Sequence, residues 1–143
     1  MRLMEPPKKI PTLSKAILAG VITGIIATVV AIIYNILYRA VTNYFSTAIV
    51  NFFSTVLSSI LVIMIVSLAY YFVVKNADRP NKVFSYCLLA LTVVAIAAVL
   101  FSSDSHAFIF AGDKGLIAGH ILIGGMLAAF LVPYFYHHPR IFI

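Results

Sequence analysis

The sequence predicts an all-α integral membrane protein, a single domain over residues 1–143 with four transmembrane helices in an up-down bundle, short loops and both termini in the cytoplasm. Three observations lead there. Of the residues 63 % are hydrophobic and the mean hydropathy is +1.09, well above the roughly 45–50 % apolar usage of soluble domains. Apolar runs long enough for a bilayer, which takes about 20 residues at 1.5 Å rise, occupy Ala16–Tyr38, Ile49–Val74, Val83–Phe101 and Leu116–Tyr136. No Asp, Glu, Lys or Arg falls within those bounds.

The charges set the orientation. With alternating spans, Arg2, Lys8, Lys9, Lys15, Lys75, Arg79, Lys82 and Arg140 share one side, and Arg39 and Lys114 the other. Positive residues concentrate on the cytoplasmic side of membrane proteins, so this asymmetry predicts N-in and C-in. It also explains the net charge of +6 without a nucleic-acid partner, since no basic face on a soluble surface is predicted. The first apolar run follows three lysines as a signal peptide would, but it is too long and lacks a small-residue cleavage site, so a retained helix is expected. Tyr34, Tyr38 and Tyr44 would mark the outer boundary, and Tyr70, Tyr71, Tyr86, Tyr134 and Tyr136 the inner one.

In the first helix Ala16, Gly20, Gly24, Ala27 and Ala31 share a face that Asn35 and Tyr38 continue outward. Gly20 and Gly24 form a GxxxG pair, which lets backbones approach closely where lipid removes the hydrophobic drive to associate. That pair serves packing within the bundle or a homodimer seam. In the second helix Thr47, Asn51, Ser54, Thr55 and Ser58 form a polar stripe that runs on through Val62, Ile65 and Ala69. Polar groups in a membrane need partners, so this stripe is expected to meet Asn35 and His120 near the outer surface. The third helix offers Ala90, Ala95, Ala97 and Ala98 for close packing and Thr92 for a bond to its own backbone. Its Cys87 reads as a small buried hydrophobe. As the one cysteine in the chain it excludes an intramolecular disulfide.

The fourth helix has two faces. His120 lies with Leu116, Gly124, Leu127 and Leu131, and Ala118, Gly125 and Ala129 make a small-residue seam on the far side. Opposed faces predict one for the bundle and one for a neighbour or lipid. The loop before this helix, SSDSHAFIFAGDKG, brings Asp104, His106 and Asp113 to the outer rim. His106, His120 and Asp104 are the candidate metal ligands, although no close ligand spacing supports a site. His137 and His138 read as an interfacial cationic tail.

These features point away from enzymes. Ser54 or Ser58 with His120 offers a nucleophile and base, but GxSxG is absent, and a haem held by two histidines lacks a second imidazole within a span. By size, span number and a last helix with His and Gly, the chain resembles small four-helix bacterial inner-membrane proteins. The leading expectation is a non-enzymatic structural or accessory subunit, associated with a protein partner or with itself in the bilayer and needing no cofactor. The alternative is a binding or transport protein for a small molecule or lipid, with an outward pocket formed by Asn35, Asn51, Ser54, Thr55, Ser58 and His120. A metal or haem-binding subunit is the third reading.

Overall fold

The computed structural model describes residues 12–43, 52–102 and 111–138. It contains four helices: α1 (Leu13–Thr42), α2 (Phe52–Asn76), α3 (Pro80–Phe101) and α4 (Ala111–His137). All four are long and apolar enough to cross a membrane, as in a multi-pass membrane protein, and no strand occurs among the described residues. Each helix outruns its apolar core, because Lys15 and Arg39 in α1, Lys75 in α2, Lys82 in α3 and Lys114 in α4 sit in helical turns beyond the greasy stretch. Asn43 ends α1 in the left-handed region at φ 50°, a conformation asparagine tolerates better than most residues.

The largest extension is in α4, which starts five residues before the apolar run. Asp113 lies in its first turn and is buried, where a carboxylate complements the positive end of the helix. Lys114 donates to the carbonyl of Ser102 at 2.8 Å and so satisfies a carbonyl at the end of α3. Asp113 therefore belongs to a helix rather than to a rim loop. His120 moves with it, to nine residues past Ala111, about 13 Å along the axis.

α1 is the hub. It packs against both α2 and α4, while α3 packs on α4, so the helices run α2, α1, α4, α3 around the bundle; contact between α2 and α3 is sparse. Small residues explain the central place of α1, whose buried stripe is Ala16, Ala19, Gly20, Thr23, Gly24, Ala27, Thr28 and Ala31. A Cβ on Gly20 would lie 2.8 Å from the Cβ of Ser67, and one on Gly24 would lie 3.3 Å from the Cα of Ile60. The GxxxG pair thus packs on α2 of the same chain. The Ser67 hydroxyl donates to the carbonyl of Ala16 across this contact. On α4, Gly115 and Gly119 leave room for the rings of Tyr38 and Tyr34, and Tyr34 donates to the Gly115 carbonyl at 2.9 Å. Those two tyrosines are half-buried, packed against α4.

Near the short turn Ala77–Arg79, Tyr70 holds α2, α3 and α4 together. Its ring is fully buried, edge-on to Phe84 at 4.7 Å and to Tyr136 at 5.2 Å. Its hydroxyl donates to Asn81 Oδ1 and lies 3.1 Å from His137 Nε2. His137 is accordingly part of a tertiary network rather than a loose tail. His138 stacks on Tyr134 with centroids 4.7 Å apart.

Pro133, inside α4, has no N–H for the carbonyl four residues back, that of Ala129. Ser85 of α3 supplies the missing donor at 2.8 Å, the kind of replacement that makes proline tolerable in a membrane helix. Ser85→Ala is expected to lower stability by about 1 kcal/mol. In a Pro133→Ala background, where the backbone N–H returns, most of that loss disappears. Unfolding midpoints in mixed micelles for the four proteins of this cycle measure the coupling, and a Ser85→Ala cost equal in both backgrounds contradicts the assignment.

α3 departs furthest from expectation. Ala90 and Ala98 face outward, as does Cys87. Its close approach is made instead by Thr92, which sits where a Cβ on Gly125 of α4 would go and bonds back to Leu88 O at 2.7 Å. The small residue that matters for this packing is on the partner helix.

Candidate functional site: a cavity between α2 and α3

Sparse contact between α2 and α3 leaves a space. The helices meet at the turn end through Tyr70 and Phe84, then part, and a cavity of about 540 Å³ opens between them with α1 and α4 as its back wall. Its volume is within the roughly 300–1,000 Å³ usual for small-molecule sites. Ala27 and Ala31 of α1 and Gly124 of α4 form part of the lining; small side chains make the room. A Cβ at Gly124 would meet nothing within 4 Å, whereas at the adjacent Gly125 it would strike Thr92. Val62 and Leu91, on the two sides of the gap, are 56 % and 62 % exposed. The mouth therefore faces sideways, between α2 and α3.

The lining changes character along the bundle axis. Towards the starts of α2 and α4 it carries Ser54, Thr55, Ser58, Ser59 and His120; further in it is aliphatic, with Val66, Leu88 and Ala128. His120 Nε2 is 3.1 Å from Ser59 Oγ and 3.5 Å from Ser58 Oγ, while Ser58 also donates to the Thr55 carbonyl at 3.3 Å. The hydroxyl of Thr55 is buried and has no hydrogen-bond partner among the described residues. Asp, Glu, Lys and Arg are all missing from the described lining.

Of the six predicted pocket residues, Ser54, Thr55, Ser58 and His120 line this one cavity. Asn35 does not; its Oδ1 accepts from Arg39 Nε at 2.7 Å, one turn along the same helix. Asn51 lies outside the described residues, as do Asp104 and His106, and His120 is the described member of the predicted metal set. Among the described residues no three of His, Cys, Asp and Glu come together. The seam residues Gly125 and Ala129 face α3, through Thr92 and the Ser85 hydroxyl, and Ala118 is half-buried. Both faces of α4 are thus engaged within the chain.

No family model, curated protein or solved structure matches this chain. The chemistry of the cavity has to stand on its own geometry.

The residue missed in the sequence is Ser59, the nearest partner of His120. The polar stripe reads along Asn51, Thr55, Ser58 and Val62, but the buried stripe of α2 is Thr55, Ser59, Ile63, Ser67 and Tyr70. The two share Thr55 and then diverge, leaving Val62 and Ile65 more than half exposed. Ser59 and Ser67 at four-residue steps from Thr55 were the available signal. Ser59 and His120 have the reach of a nucleophile and base, but among the described residues no carboxylate lines the cavity to orient the ring as in hydrolytic triads.

Proposed function

We propose that this protein is a non-enzymatic membrane protein that binds a small molecule drawn sideways from the bilayer into the α2–α3 cavity. One observation carries the reading: four helices wall a space of ligand size whose mouth opens on the lipid-facing side. The eight-to-two division of positive residues supports an up-down threading with both termini in the cytoplasm of a bacterial inner membrane. On that orientation the polar end of the cavity lies in the outer half of the bilayer.

The accessory-subunit reading draws on the short loops, the spans without charged groups and the small-residue faces of the first and fourth helices. Of those faces, Gly20, Gly24, Gly125 and Ala129 have neighbours within the chain, which weakens that one motive and supports the binding reading. Photolabelling tests this. In membranes carrying the full chain, an alkyl chain bearing a diazirine is expected to label Val62, Val66 and Leu88 well above Val93 and Val94 on the outward side of α3. Equal labelling of both groups, as from bulk lipid, counts against a bound ligand.

A further inference from the structure

The lining restricts what the cavity holds. Resting on the reading that it takes a ligand from the bilayer, we propose that the ligand is a neutral single-chain lipid whose hydroxyl or carbonyl head is held by Ser59 and His120, with its chain lying towards Val66, Leu88 and Ala128.

Shape gives the first argument. Ser54, Thr55, Ser58, Ser59 and His120 collect at one end of the lining, with Ile117 beside them, and past Thr92 the other end is aliphatic, as the head and tail of one amphipath require. A cavity of about 540 Å³ suits a drug-sized molecule, hence one chain with a compact head, and not the two chains and large headgroup of a phospholipid. Gly124 adds width beside His120, since nothing stands within 4 Å of where its side chain would begin.

Charge gives the second. An ionised head in this cavity leaves water without meeting any opposite fixed charge among the described lining residues, and an uncompensated charge in such surroundings is strongly unfavourable. A neutral head avoids that cost.

Hydrogen-bond capacity gives the third. Ser59 Oγ and His120 Nε2 are 3.1 Å apart, and a neutral imidazole has one donor and one acceptor. If the serine donates to Nε2, the other ring nitrogen keeps its proton; if Nε2 donates, the serine proton stays available. The pair retains one donor and an open acceptor in either tautomer, which is what a hydroxyl or carbonyl head needs. Thr55, buried in the same lining, brings a further hydroxyl with no partner among the described residues.

Four probes with the same tetradecyl chain and the same diazirine position separate the possibilities: a plain hydrocarbon, the primary alcohol, the methyl ketone and the alkyl sulfate, which is charged at every working pH. With the full chain in phosphatidylcholine nanodiscs, the alcohol and ketone are expected to label cavity residues about tenfold more than the hydrocarbon or the sulfate. Ser59→Ala and His120→Leu, made singly and together, bring the alcohol down to the hydrocarbon level and leave hydrocarbon labelling unchanged. If the hydrocarbon equals the alcohol on the unaltered protein, the head has no role and the proposal is wrong, while the cavity still binds. If the sulfate labels best, the head is anionic and the proposal is equally wrong. If no probe prefers the cavity, the binding reading falls and takes this proposal with it.

Discussion

Gly20→Leu is expected to separate α1 from α2 and to lower stability by about 3 kcal/mol, the upper range for overpacking a tight contact. Its first added atom would already lie 2.8 Å from the Cβ of Ser67 and 3.4 Å from the Cα of Met64. Neither neighbour is the free end of a flexible side chain, so relief has to come from the helix axes. Moving them also strains the Ser67 hydrogen bond to the Ala16 carbonyl. In lipid the loss is not offset by new hydrophobic burial, because helix association there depends on close packing and polar contacts. Unfolding in mixed micelles with increasing dodecyl sulfate measures it. Gly24→Ala, whose Cβ would stand 3.3 Å from the Ile60 Cα, should have a smaller effect in the same direction. A Gly20→Leu protein as stable as the parent shows that α1 and α2 do not meet at this glycine.

Gly124→Phe should do the opposite, sparing the fold and removing the ligand. The position faces open space, and replacing a helical glycine relieves up to about 1 kcal/mol of backbone cost. The new ring enters the cavity beside His120, so labelling of Val62, Val66 and Leu88 is expected to fall at least about tenfold with the unfolding midpoint unchanged or raised. Gly125→Phe, one residue on, meets the Thr92 side chain and should destabilise instead. The contrast between adjacent glycines separates a filled cavity from a damaged bundle. Undiminished cavity labelling in a well-folded Gly124→Phe protein excludes this space as the binding site.

The adjacent glycines also indicate what a linear reading can see. A helical wheel puts Gly124 with His120 and Gly125 on the far side; in the structure both glycines line the cavity, but only Gly125 has a close neighbour, Thr92. The wheel does not tell which face meets a helix of the same chain, and the opposed seam suggested an outside neighbour that Thr92 of α3 replaces. In α2 the wheel selected Ser58 and Val62 because polarity was followed instead of burial. Ser59, one residue away, makes the shorter contact to His120. Asn35 belongs with that site by its helix face and by the need of a buried amide for a partner, yet Arg39, one turn along, takes its side chain. His137 looked like a tail because Tyr70 and Asn81, its partners, lie 67 and 56 residues away in the chain.

By itself the sequence determined that there are four helices long and apolar enough to cross a membrane, and roughly where each lies. That follows because transfer into lipid is summed residue by residue along a continuous apolar run and needs no knowledge of neighbours. Tertiary structure alone decided that α1 lies at the centre, that α2 and α3 touch only sparsely, and that the space between them is lined in part by Ser59, His120 and Gly124. Lipid rewards every apolar face almost equally, so the pattern that locates a core in a soluble helix is nearly silent here. What chooses the packed faces is where backbones can approach, and that is a property of pairs of helices: Gly20 with Ser67, Gly119 with Tyr34, Gly125 with Thr92.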